Sequence, residues 1–176
     1  MLDGASMKPE PCPRISLITF PYLYSPTTTI RQNLVGTDLS LNTTDYDEIR
    51  TAIRSGRLKI GVYGLGWMGI PTACLFLQAG ATVIGVDADP HVIEQINSGK
   101  SPIEEPGINS ILARCLGSTF SANSNLREAA ALCDIMLIIV PTSIDIGKKP
   151  DYTAVEKVSH EIGMKLRPGS LIIVES

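Results

Sequence analysis

The chain has 176 residues, 44% hydrophobic and 19% charged, with a formal net charge of -3 and a pI near 5.4. This is ordinary globular composition, long enough for one domain or one domain with an appendage, and it excludes the basic footprint of a nucleic-acid binder. No apolar run approaches the ~20 residues that span a bilayer, and residues 1–13 lack the apolar stretch of a secretory leader.

In chain order, residues 1–44 come first and read as an irregular appendage. Pro9, Pro11, Pro13, Pro21 and Pro26, followed by Thr27, Thr28 and Thr29, break every periodicity. Within this segment residues 15–20 and 22–24 are nevertheless apolar enough to dock as an extra strand. Asp45 and Glu48 have capping-box spacing, Ile49 and Ile53 share a helical face, and Gly56 can stop that helix.

From Lys59 two patterns alternate. Apolar runs at 60–63, 82–86, 135–140 and 171–174, with a weaker one at 118–122, predict strands. Between them, 68–79, 90–97, 107–116, 126–132 and 152–166 predict helices. Uniformly apolar strands are expected to be buried on both faces of a parallel sheet covered by helices. Repeated right-handed β-α-β units give a Rossmann-type doubly wound sheet, α/β, with strand order 3-2-1-4-5. The domain expected is residues 45–176.

The sequence Gly64-Leu65-Gly66-Trp67-Met68-Gly69 joins the first strand to its helix. A G-x-G-x-x-G string is weak evidence alone, and the strand before it and helix after it supply the needed context. Gly64 permits the tight turn, Gly66 lets the backbone approach a pyrophosphate, and Gly69 lets helix and strand lie close. The free N–H groups of the helix start then face phosphate charge. Asp87, at the end of the second strand, can accept from both adenosine ribose hydroxyls and repels a 2′-phosphate, which favours NAD over NADP. Asp89, followed by Pro90, reads as a helix cap. Pro71 falls in the first turns of its helix, where a missing N–H costs little. Trp67 can shield the pyrophosphate, but packing against a neighbouring domain or loop is the expected role.

These residues resemble the nucleotide-sugar dehydrogenases, which include UDP-glucose and UDP-N-acetylhexosamine 6-dehydrogenases. The resemblance runs from about Lys59 to Ser176. It rests on the glycine turn with Ile70-Pro71, on Val86-Asp87, and on the segment from Ile96 through Pro102-Ile103-Glu104-Glu105-Pro106. Val140-Pro141-Thr142, Lys149-Pro150-Asp151 and the run from Pro168 to Ser176 complete it. The glycine turn is generic, and the Pro102–Pro106 and Val140–Thr142 segments are more specific.

The resemblance implies an NAD-binding domain. By the same resemblance, Thr142, with Pro141, is expected beside the nicotinamide, where it would help hold a reacting water. Ser124, with Asn125, is expected to contact the adenosine side. Glu175 and Ser176 match the start of a loop near nicotinamide and sugar. Ser143 departs from the family's usual proline, and Val92 stands where many relatives carry a basic residue.

The chemistry implied is oxidation of a sugar C6 alcohol to a carboxylate in two NAD-dependent steps, through a catalytic cysteine. It implies a place in polysaccharide biosynthesis and a homo-oligomeric full-length enzyme. The catalytic cysteine, the substrate lysine and the linking helix of relatives lie beyond Ser176, so this chain alone is expected to be inactive towards a UDP-sugar.

None of the four cysteines matches the catalytic motif, and no C-x-x-C pair signals a metal site or disulfide framework. Cys74 and Cys133 read as core, Cys115 lies near a helix end, and Cys12 falls in an exposed proline stretch. His91 and His160 read as helix surface. A reduced, cytoplasmic setting is expected. The loop from Pro141 to Asp151 favours a UDP-N-acetylhexosamine, such as UDP-N-acetylmannosamine, over UDP-glucose. The alternatives are a 3-hydroxyacid or 6-phosphogluconate type dehydrogenase, against which the Pro102–Pro106 segment counts, and a stand-alone NAD(H)-sensing module.

Overall fold

The computed structural model describes residues 45–144 and 147–175. The expectations for residues 1–44, for Cys12 and for Ser176 lie outside them. Asp45 caps helix α1 (Tyr46–Arg54), its carboxylate accepting from the N–H groups of Asp47 at 3.0 Å and Glu48 at 3.4 Å. The helix ends where Gly56 turns back with φ of 70°, a conformation that a Cβ disfavours. Ala52 and Leu58 are fully buried beneath it, with Ile49 and Ile53 packed alongside.

Five strands follow: β1 (Lys59–Tyr63), β2 (Thr82–Val86), β3 (Phe120–Asn123), β4 (Ile135–Ile138) and β5 (Leu171–Val174). All pair in parallel, in the order β3-β2-β1-β4-β5, as the alternation of strand and helix signals predicts. The helices between them are α2 (Gly69–Gln78), α3 (Pro90–Asn97), α4 (Ile108–Cys115), α5 (Leu126–Leu132) and α6 (Thr153–Gly163).

Successive strand residues point to opposite faces, and the two core layers obey that period. Ile60, Val62, Val83, Ile135 and Leu137 join Ile70, Ala73, Cys74, Leu77 and Leu112 from α2 and α4. Tyr63, Ile84, Val86, Met136 and Ile138 face Ala129 and Ala130 of α5 and Val158 and Ile162 of α6.

Several helix and strand ends shift by one residue; larger differences fall at β3, β4 and α6, and in the burial of β5. Ser118 and Thr119 fold back onto the Cys115 carbonyl as a turn, so β3 starts at Phe120. The sheet pairing of β4 ends at Ile138, although the Ile139 N–H still reaches the Tyr63 carbonyl at 2.8 Å. Helix α6 stops at Gly163, ahead of Pro168, which cannot donate to a continued helix. Finally, all four residues of β5 are exposed, between 37% and 54%. An apolar run predicts burial on both faces only for an interior strand. β5 is an edge strand, and α6 packs against β4.

The lower end of the sheet is fastened by Asp134, which is 7% exposed. Its carboxylate accepts from the Lys59 N–H at 2.9 Å and from Arg167 Nη2 at 2.8 Å. Its carbonyl accepts from the Leu171 N–H at 2.8 Å. One residue thereby ties the entries of β1, β4 and β5.

Candidate cofactor site

The glycine turn leaves β1 at the carboxyl edge of the sheet. Gly64 has φ of 100° and its N–H donates to the Val86 carbonyl at 2.8 Å. A Cβ on Gly64 would strike the Ile139 carbonyl oxygen, and one on Gly69 would strike the Gly64 carbonyl oxygen. Those two glycines are demanded by the protein's own backbone. Gly66 is different: a Cβ there meets nothing within 4 Å. Its exposed backbone borders open space, which is what the close approach of a pyrophosphate requires.

Helices α1, α3 and α5 are capped by the side chains of Asp45, Asp89 and Asn125. Met68, the N-cap of α2, makes no side-chain cap hydrogen bond, as at α4 and α6, and the Ile70 N–H donates to the Gly66 carbonyl at 3.1 Å. The first-turn N–H groups of a helix have no intrahelical acceptor and carry its positive end, a setting that suits a phosphate. The Leu65 side chain is fully buried in the core, so only its backbone faces the turn. Trp67 is 71% exposed and Met68 59%. Among the described residues nothing covers Trp67, which leaves its side chain available to a neighbouring domain or loop.

Asp87 stands where β2 ends. One carboxylate oxygen, Oδ2, accepts from the Leu65 N–H at 2.7 Å, and the other, Oδ1, from the Asp89 N–H at 2.9 Å. Asp89 in turn caps α3, accepting from the His91 N–H at 2.9 Å with Pro90 opening the helix. On the neighbouring strand the Asn123 carbonyl accepts from the Asp87 N–H at 3.3 Å. That places Ser124, which is exposed, at the adjoining strand end. The Asn125 carboxamide oxygen is committed to the Glu128 N–H at 3.1 Å as the cap of α5.

On the other side of the turn the chain continues from β4 through Val140, Pro141 and Thr142. Ile144 and Pro150 form an antiparallel bridge, and the Asp151 N–H donates to the Ser143 carbonyl at 2.7 Å. The loop is thus drawn closed at its base. Glu175 leaves β5 with its N–H on the Ile138 carbonyl at 2.9 Å. The described residues assigned to the cofactor, Gly64 to Gly69, Asp87, Ser124, Pro141, Thr142 and Glu175, therefore follow the carboxyl ends of the strands. The connections from β1 and β4 diverge there, opening the crevice in which such sheets bind ligands. What the sequence did not disclose is the bond from Asp87 to Leu65, because it joins two positions that only sheet register brings together.

Two of the described thiols, Cys74 and Cys133, are ill suited to nucleophilic work. Burial pushes Cys74 up to about 12, with Cys115 adding to the shift. Burial likewise pushes Cys133 up to about 12, with Asp134 adding. Thiolate is the reactive form, and neither residue supplies it near neutral pH. Burial also raises the Tyr63 phenol, whose hydroxyl donates to the Leu126 carbonyl at 3.4 Å. His91 and His160 are exposed, as expected for helix surface.

The model of the UDP-glucose/GDP-mannose dehydrogenase family, NAD binding domain, matches residues 58–176. The chain belongs to this family. It is 38% identical over 117 residues to the UDP-N-acetyl-D-mannosamine dehydrogenase of Escherichia coli (strain K12), covering 66% of this chain and 27% of that protein. Among solved structures, the UDP-D-ManNAc dehydrogenase of Pyrococcus horikoshii superposes with a TM-score of 0.64 at 32% identity, covering 68% of this chain and 28% of that one. The GDP-mannose dehydrogenase of Pseudomonas aeruginosa gives 0.61 at 33%, covering 65% and 27%. The chain thus spans little more than a quarter of the length of these family members. As the family's NAD-binding domain, it presents residues that fit that cofactor. The open side of Gly66, the uncapped start of α2 and the carboxylate at the end of β2 match pyrophosphate and ribose in turn.

Proposed function

We propose that the chain is the NAD-holding part of a UDP-sugar 6-dehydrogenase that converts a C6 alcohol to a carboxylate in two NAD-dependent steps. UDP-N-acetylmannosamine is the preferred substrate, ahead of UDP-glucose. The observation that carries the cofactor assignment is the meeting of Asp87, at the end of β2, with the turn of open-sided Gly66 after β1, joined by the Leu65 N–H to Asp87 Oδ2 hydrogen bond. The substrate assignment is supported by the 38% identity to a UDP-N-acetyl-D-mannosamine dehydrogenase and by the character of the Pro141–Asp151 loop.

In this proposal Gly64, Leu65, Gly66, Trp67, Met68 and Gly69 receive the pyrophosphate, with Asp87 and Ser124 on the adenosine side. Pro141, Thr142 and Glu175 flank the nicotinamide end, where Thr142 holds a water. When bound, NAD supplies the hydride acceptor. A carboxylated nucleotide sugar suits polysaccharide assembly, and the complete enzyme works as a homo-oligomer.

The three described cysteines are buried and none matches the family's catalytic motif, so in this proposal the chain by itself binds NAD without oxidising sugar. The same observation favours a second reading, an NAD(H)-sensing module. Incubating the chain with NAD and a panel of UDP-hexoses tests both parts. The expected result is saturable NAD binding and no NADH absorbance above background. Turnover of any UDP-sugar would overturn the assignment of the cysteines. Joining the chain to the catalytic portion of a UDP-N-acetylmannosamine dehydrogenase should restore turnover, and failure to do so favours the sensing module.

A further inference from the structure

Two successive N–H groups of the glycine turn are held by the end of β2. Gly64 donates to the Val86 carbonyl at 2.8 Å and Leu65 to Asp87 Oδ2 at 2.7 Å. The Leu65 side chain is fixed as well. It is fully buried and packs so tightly over β2 that a Cβ on Gly85 would lie 2.9 Å from its Cδ1. With side chain and N–H both anchored, and each peptide unit planar, little freedom remains to the Leu65–Gly66 peptide that borders the open crevice. The carboxylate is itself oriented, because its other oxygen is held by the Asp89 N–H at 2.9 Å.

From this geometry we infer that Asp87 is a positioning residue for the phosphate-binding turn, in addition to any contact it makes with the adenosine ribose. It presets the Gly64–Gly66 backbone before the dinucleotide arrives. The inference rests on the NAD assignment above. A carboxylate has about four lone-pair sites, so accepting two backbone N–H groups leaves sites for two ribose hydroxyls. Both roles therefore operate together. Preorganisation of this kind raises affinity by removing an ordering cost from the bound state.

The two roles separate with an NAD analogue whose adenosine ribose is 2′,3′-dideoxy. Titrate the wild-type chain, Asp87→Ala and Asp87→Asn with NAD and with the analogue. If Asp87 served the ribose alone, wild type and Asp87→Ala would bind the analogue equally. Loss of a negative charge would even favour the variant, since the ligand is anionic. We expect Asp87→Ala to bind the analogue about tenfold more weakly, ~1.4 kcal/mol. Asp87→Asn, whose carbonyl oxygen can still accept from Leu65, should recover most of that loss.

Amide exchange on the cofactor-free chain gives a second readout. Exchange at Leu65 and Gly66 should quicken in Asp87→Ala while the sheet amides of β1 and β2 stay protected, which a general loss of stability would not produce. Equal analogue affinity, or unchanged exchange at Leu65, would overturn the proposal. Absence of NAD binding in the wild type would instead overturn the cofactor assignment, and the exchange measurement would still judge the positioning role.

Discussion

Replacing Gly66 with valine separates the needs of the fold from the needs of the cofactor. A Cβ at Gly66 meets nothing within 4 Å, and its φ is not among the positive values. The protein therefore has no steric reason to keep glycine there. Removing a glycine at a compatible backbone position stabilises by ~0.4–1 kcal/mol through the unfolded chain, which the stiffness of a β-branched residue partly offsets. The expected change in folding stability is within about 1 kcal/mol, or a few degrees in Tm. The cofactor suffers differently, because the side chain fills the space through which the pyrophosphate approaches α2. Losing two charge-assisted hydrogen bonds, at about 1.5–3 kcal/mol each, weakens binding by two to four powers of ten at ~1.4 kcal/mol per decade. Thermal melting and NADH fluorescence measure the two quantities on one sample. A valine variant that binds NADH within about threefold of wild type would refute the role given to Gly66. So would one that fails to fold.

Other substitutions should behave in contrasting ways. Gly69→Ala places a Cβ against the Gly64 carbonyl oxygen, so it should lower Tm and solubility as well as NADH binding. Asp87→Ser with Arg at the exposed neighbour Ala88 should narrow the preference for NAD over NADP by at least about tenfold, read as the ratio of dissociation constants. Asp134→Ala removes the acceptor of Lys59 and Arg167. It should cost about 1–3 kcal/mol in urea unfolding, toward the lower end because Arg167 is 41% exposed. For pH, Cys74 and Cys133 rise from 9.0 to about 12 in the fold. Between those values the unfolded chain has lost thiol protons that the native state keeps, so stability falls as pH rises from about 9 toward 12. The same burial predicts that both thiols resist alkylation at neutral pH until the protein is unfolded, which mass spectrometry after iodoacetamide treatment checks.

The doubly wound sheet was legible because its interior strands are short uniform apolar runs separated by helix-length segments, a pattern with few alternative folds. The glycine turn was legible because its spacing follows a strand and precedes a helix, and Gly69 answers to a collision with the Gly64 carbonyl five residues back, whereas the collision that demands Gly64 is with the distant Ile139 carbonyl. Helix starts at Asp45 and Asp89 followed from local capping chemistry, and both side chains accept as caps, while the capping role of Asn125 was not read from the sequence. Less was visible where tertiary position decides. The run 171–174 has the uniformly apolar pattern of a strand buried on both faces, yet at the sheet edge, where the expected order places it, all four residues are exposed. Leu65 looks like part of the cofactor turn, yet its side chain belongs to the core and only its N–H serves the turn. The fastening of Asp134 by Lys59 and Arg167 spans distant parts of the sequence and depends on register, which no local pattern specifies. Trp67 is exposed among the described residues, and a bulky aromatic in a turn carries no local indication of which domain or loop covers it.

The central claim is that the carboxyl end of this sheet holds NAD through the Gly64–Gly69 turn and Asp87. Isothermal titration of the folded chain with NAD and, separately, with NADP tests it most directly. Asp87 and the absence of a basic residue at Val92 predict saturable binding of one NAD per chain and markedly weaker binding of NADP, with the NAD heat lost in Gly66→Val. A folded chain that gives no heat with NAD, or that binds NADP equally well, would contradict it.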